Sequence, residues 1–149
     1  MIQSLDSTSK RSSSGSLSSK YLLNLPNEYV ISTSIKLTDE SLPETHFGLL
    51  FLSASLEYNF AVYSNGWVLF SEYDYNQDSV QTLVSKHIEL NTKDYIQLQA
   101  SINDRDCTLH VNNDTIGSIR LKNTPRHWYD LRLYTSTQST IMVDYIRIQ

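Results

Sequence analysis

The sequence predicts an all-β protein built from antiparallel sheets, and three observations predict it. About ten segments alternate apolar and polar side chains with period two, or run as short apolar stretches, at the spacing of a sandwich. No stretch longer than two turns repeats with the 3.6-residue period of a helix. Polar turn signals such as Asn65-Gly66 and Asn112-Asn113-Asp114 separate the segments, so neighbours in sequence pair as hairpins rather than through helical crossovers.

Taken in order, Ser4 to Ser19 holds nine serines and almost no large apolar side chain, too little to offset the entropy of ordering. Residues 1–20 are therefore expected to be a flexible tail or linker, and residues 21–149 a single sandwich domain. Tyr29 to Leu37 alternates with Tyr29, Ile31, Thr33, Ile35 and Leu37 inward, a one-sided strand. Phe47 to Leu52 is apolar on both faces and is expected to be central in its sheet and covered on both sides. Leu56, Tyr58, Phe60 and Val62 share the inward side of the next strand. Asn65-Gly66 then supplies the two positive-φ positions of a type I′ turn into Trp67 to Phe70.

Beyond Phe70, SEYDYNQDS reads as a strand end running into a wide loop, with short strand candidates at Val80 to Val84 and His87 to Leu90. Ile96, Leu98, Ala100 and Ile102 share one face of the following strand, and Cys107, Leu109 and Val111 point inward on the next. Ile116 to Leu121 pairs back, Trp128 to Tyr134 forms a further strand, and Ile141 to Ile148 closes the chain with a β-branched run.

Composition excludes several functions. A formal charge of −4 with twelve scattered basic residues is not the basic stripe of a nucleic-acid reader. The longest apolar run, Phe47 to Leu52, is far below the roughly 20 residues of a membrane-spanning helix. The first 20 residues lack the apolar core of a secretory signal, which points to the cytoplasm, or to the extracellular space if the chain is a processed fragment. Cys107 is the single cysteine, so no internal disulfide can form. Asn113-Asp114-Thr115 matches a glycosylation sequon but has no export signal beside it.

Several stretches resemble one superfamily. EYVISTSIKL is similar to an early strand of the aromatic-x-apolar-x-x-x-apolar kind, and FGLLF to the glycine-aliphatic-aliphatic-Phe strand after it. YNFAVYSNGWVLF is similar to the next hairpin, IQLQASINDRDCTLHVNNDTIG to the paired strands that end in a Val-Asn-Gly turn, and IMVDYIRI to the closing strand. Together they resemble the concanavalin A-like lectin/glucanase superfamily, which includes laminin G-like and laminarinase-like domains, over Tyr21 to Gln149. Asn113 stands where the turn glycine belongs, and His127-Trp128-Tyr129 replaces the glycine before the penultimate strand. The resemblance implies a two-sheet jelly roll with one concave surface that in the superfamily commonly binds glycans. Fold alone does not transfer that activity.

Retaining glycosidases of the superfamily carry three acids as Glu-x-Asp-x-x-Glu. Here Glu72 and Asp74 are followed by Gln77, which can neither donate the proton nor act as nucleophile, so the pair reads as a solvated loop edge and the chain as a non-enzyme. His87-Ile88-Glu89 has no paired cysteines to complete a zinc deaminase site, and the four histidines lack metal-ligand spacing. The Asn and Asp residues at 103–106 and 112–114 could serve calcium, but ordinary turn chemistry accounts for them. No cofactor is expected.

Ten tyrosines and two tryptophans are the remaining signal, because amphipathic rings suit both sugar stacking and protein interfaces. The expected binding residues are Tyr63, Trp67, Tyr73, Asp74, Tyr75 and Trp128. Two partners remain open from the residues: a carbohydrate held by a lectin-like module, or a protein held by an assembly domain.

Overall fold

The computed structural model describes residues 3–5, 12–13, 17–19, 25–38, 45–53, 55–122, 130–136 and 140–149. Its strands are β1 (Gln3–Leu5), β2 (Ser12–Ser13), β3 (Leu17–Ser19), β4 (Glu28–Leu37), β5 (His46–Leu52), β6 (Leu56–Tyr63) and β7 (Trp67–Asp74). They continue with β8 (Ser79–His87), β9 (Ile96–Asn103), β10 (Asp106–Val111), β11 (Asp114–Arg120), β12 (Asp130–Thr135) and β13 (Thr140–Ile148). No helix occurs among the described residues.

The strands form two antiparallel sheets. One runs β1-β13-β4-β9-β10-β11 with β2 also on β13, and the other runs β3-β12-β5-β6-β7-β8. This is the predicted all-β sandwich of the jelly-roll kind. Parts of the serine-rich stretch thus pair at sheet edges as β1, β2 and β3, while the rest of residues 1–20, and Tyr21 where the domain was expected to begin, lie outside the described residues.

Period two explains the layering. Phe47, Leu49 and Phe51 of β5, Phe60 and Val62 of β6, and Val68 and Phe70 of β7 face inward and are buried. From the other sheet Ile31, Ile35, Ile96, Leu98 and Leu109 meet them in one core. Burying each such side chain contributes about 1.5–3 kcal/mol, so the alternation on adjacent strands fixes which face is shared. Cys107 belongs to this core, and burial pushes its thiol up to about 12, leaving it protonated and unreactive.

Three expectations are corrected. The central strand β5 is not buried on both sides: Leu50 and Leu52 on its outer face are only half-buried, and among the described residues they are flanked by side chains of neighbouring strands. The turn after β6 is not type I′, since Gly66 has φ +95° while Asn65 keeps a negative φ. Gly66 N–H donates to Tyr63 O at 2.9 Å, giving a three-residue hairpin whose last residue takes the left-handed conformation. A Cβ on Gly66 would lie 2.3 Å from Ile88 O. Finally, the wide loop after Phe70 does not exist. β7 runs on to Asp74, whose Oδ1 accepts N–H bonds from Asn76 at 2.9 Å and Gln77 at 3.2 Å, and a four-residue turn leads into a continuous β8. β8 is an edge strand exposed along most of its length, so it has no inward and outward alternation to read.

The type I′ geometry is found instead between β10 and β11, where Asn112 (φ +48°) and Asn113 (φ +71°) both occupy the left-handed region. Asparagine tolerates that region better than other residues with a side chain, which explains how Asn113 replaces glycine here.

Gly48 lets β5 and β6 lie close, because a Cβ there would sit 2.0 Å from the Phe60 carbonyl oxygen. That obstacle is backbone and cannot rotate away. Gly48→Ala is expected to lower unfolding free energy in urea by about 1–3 kcal/mol, the range for overpacking. An unchanged midpoint would mean that the two strands separate without cost.

Candidate functional site

Residues that alternate with the core positions of β12 and β5 to β8 form an open face. Antiparallel register sets them in rows across the strands. One row is made of rings: His46 lies opposite Tyr63, and Trp67 opposite His87. The next holds Tyr134, Gly48, Ala61, Leu69 and Ser85, mostly smaller side chains. A third holds Arg132, Leu50, Asn59, Ser71 and Thr82.

The ring row is held from several sides. His46 stacks on Tyr63 with centroids 4.9 Å apart, and Tyr134 meets the same imidazole edge-on at 5.7 Å. Trp67 and His87 are edge to face at 5.3 Å. His87 Nε2 is 2.8 Å from Asn65 O, so the hairpin turn holds that ring, and the Trp67 backbone N–H donates to Asn65 Oδ1 at 3.3 Å, which fixes the start of β7. The Tyr134 hydroxyl donates to Asn59 Oδ1 at 2.7 Å. Burial pushes that phenol up, with smaller contributions from the Asn59 bond, which lowers it, and from Tyr63 and Glu57, so it remains a donor.

Small side chains beside a row of rings leave a groove. It measures about 580 Å³ and is lined by His46, Tyr63, Asn65, Trp67, Leu69 and Ser85. Trp67 is 44% exposed, an unusual cost for an indole without a partner. Among the described residues the lining combines apolar ring surface with hydroxyl, amide and imidazole groups and contains no carboxylate, ammonium or guanidinium. It can hold a neutral ligand that has one apolar face and hydrogen-bonding edges.

Of the residues expected from sequence, the structure brings Tyr63 and Trp67 together in this groove. Tyr73 and Tyr75 share the same face at its other end, with rings 4.8 Å apart. Their hydroxyls are engaged: Tyr73 donates to Asp78 Oδ1, and Tyr75 donates to Glu57 Oε2 at 2.8 Å. Those carboxylates push both phenols up, through the hydrogen bond first and lesser desolvation second. Asp74 is on the opposite side of β7 from these rings. Trp128 lies outside the described residues. His46, Asn65, Leu69 and Ser85 were not singled out from sequence. The inward phase of Phe47 and Val68 marks His46, Leu69 and Trp67 as outward, but only the register between strands shows that they meet.

Glu72 and Asp74 are not a solvated loop edge. Both face inward with Phe70 and are 3% and 9% exposed. Lys122, just after β11 of the other sheet, reaches Glu72 Oε1 at 2.5 Å and Asp74 Oδ2 at 3.5 Å. The Tyr58 phenol is raised by burial first and by the neighbouring Glu72 carboxylate second. The acid pair thus sits on the far side of the sheet from the groove.

With this geometry fixed, comparison with solved structures is informative. Sheep galectin-11, solved with glycerol, superposes with a TM-score of 0.72 at 14% identity, over 93% of this chain and 98% of that one. The Caenorhabditis elegans galectin LEC-6 gives 0.69 at 8% identity, over 93% and 91%. A GH16 protein of the Bacteroides ovatus mixed-linkage glucan locus, solved with a product, gives 0.69 at 12% identity, over 90% and 74%. The two-sheet jelly-roll fold is common to this chain and these proteins. No protein-family model and no curated protein matches the chain. The likeness is one of fold.

The ion pair holds Lys122 in its charged form and raises its pKa, chiefly through the Glu72 bond. Such a raised group contributes fully below the pKa of the unfolded lysine, and the contribution is lost as pH rises through the folded value. Lys122→Met is expected to lower the urea midpoint at neutral pH, because two buried carboxylates lose their cation. The gap from the unsubstituted protein should close in strongly alkaline solution; a gap independent of pH would assign the effect to lost packing.

Proposed function

We propose that the protein is a non-catalytic, lectin-like module that binds carbohydrate on the open face of β5 to β8. The observation that carries this reading is the groove walled by His46, Tyr63 and Trp67 and floored by small and polar side chains. A pyranose ring has an apolar C–H face and an equatorial rim of hydroxyls. Trp67 and Tyr63 offer surfaces for the first, while Asn65, Ser85 and the imidazole of His46 offer partners for the second. The Asn65 carbonyl oxygen holds the His87 imidazole, against which Trp67 lies edge to face, before any ligand arrives, which reduces the ordering cost of binding.

Two features support a binding rather than a hydrolytic role. A retaining reaction needs two carboxyl groups about 5 Å apart across the scissile bond. Among the described residues the groove lining contains none, and Glu72 and Asp74 face the core with Lys122 between them. Galectins among the proteins of similar fold are consistent with the reading.

Glycan-array screening followed by calorimetry tests the proposal. The unsubstituted protein is expected to select neutral oligosaccharides, and Trp67→Ala to weaken that binding at least about tenfold while lowering the unfolding midpoint far less than loss of a core ring would, since the indole is 44% exposed. Silence across neutral glycans, or full affinity in Trp67→Ala, would reject it. No release of reducing sugar is expected from any glycan that binds.

A further inference from the structure

The outward face of the other sheet carries a second concavity. It lies where β9 and β10 meet the Asn112-Asn113 turn, measures about 250 Å³, and is lined by Gln97, Gln99, His110, Asn112 and Asn113. We propose that this cleft is a binding site for a small neutral polyol, a single sugar unit or smaller, independent of the groove on the opposite face.

The cleft is built by backbone geometry. Register sets Gln99 opposite His110. Asn112 is tied to Gln97 twice, its N–H donating to Gln97 O at 3.0 Å and its Oδ1 accepting from Gln97 N–H at 2.8 Å. The type I′ turn then sets Asn112 and Asn113 at the rim. A bulge between Leu109 and His110 in the pairing with β11 shifts the register at the imidazole, a device that commonly re-aims a side chain beside a site.

Chemistry narrows the ligand. Among the described residues the lining has four carboxamides and one imidazole, with no carboxylate to hold a cation, no ammonium or guanidinium to hold an anion, and little apolar surface to hold a lipid or aromatic group. Carboxamides both donate and accept, which matches neighbouring hydroxyls that do the same. The volume equals roughly eight waters at about 30 Å³ each, so the cleft admits a small polyol and not a chain. Gln99 Nε2 donates to Ser101 Oγ at 3.1 Å, which orients its carbonyl oxygen and leaves that acceptor available.

The test is a two-dimensional NMR titration of the full chain with glycerol, and separately with glucose, galactose and mannose. The side-chain NH₂ signals of Gln97, Gln99, Asn112 and Asn113 are expected to shift saturably with at least one of these probes, in the millimolar range typical of so small a ligand. Gln99→Leu should abolish the saturable shifts while its backbone spectrum stays that of the folded protein, and Trp67→Ala should leave them intact. Linear, non-saturating drift at these signals overturns the proposal, as do shifts confined to the Trp67 groove or shifts that survive Gln99→Leu. Because Trp67→Ala removes the groove and not the cleft, failure here is distinguishable from failure of the carbohydrate reading.

Discussion

Phe60 and Phe70, edge to face at 6.2 Å on adjacent strands, anchor the constraint on which the molecule depends. Phe70 also lies close to Tyr58, at 5.7 Å with nearly parallel rings. Inward rings on β6 and β7 can meet only in one register. A slip by one residue would turn Phe60 and Val62 to solvent and bring Asn59 and Ala61 into the core. The same register that seats the phenylalanines therefore fixes the outward rows, and with them the groove. Core and candidate site are two faces of one alternation.

This coupling explains how a β-sandwich can hold an exposed indole. The rings of the open face are restrained locally, His87 by the Asn65 carbonyl, Trp67 by its edge contact with His87, and His46 by its stack on Tyr63, on strands whose other sides are locked in the core. Rigid strands place side chains more precisely than long loops do, and a preformed groove spends less entropy on binding. At the other end of the sandwich, Glu72 and Asp74 interrupt the apolar face of β7. Lys122, half-exposed at the margin, offsets the cost of two inward carboxylates and ties the end of β11 to the opposite sheet. On the edge strands, Lys86 Nζ on β8 makes another link, donating to Thr115 O of β11 at 2.7 Å.

Much of the fold was legible in the sequence because alternation is a local signal. Tyr29 to Leu37, Leu56 to Val62 and Ile96 to Ile102 declare their buried faces one residue at a time, and each lies as expected. Asn65-Gly66 was misread as type I′ because the same dipeptide serves a three-residue hairpin; only the backbone angles separate the two. β8 was misread because an exposed edge strand has little period to offer. Glu72 and Asp74 were assigned to a loop although the phase of Phe70 already pointed both inward; their charge outweighed the pattern. The site was less legible than the fold. Tyr63 and Trp67 stood out as rings flanking a turn, whereas His46 and Ser85 join them only through pairing between strands far apart in sequence.

The central claim is that register turns these scattered residues into one carbohydrate-binding face. A crystal structure of the protein with the oligosaccharide it binds most tightly on an array tests this most directly. The account predicts a sugar ring against Trp67, between Tyr63 and Ser85, with its hydroxyls within hydrogen-bond distance of Asn65 or His46. A sugar seated on any other surface, with the Trp67 groove empty, would contradict it.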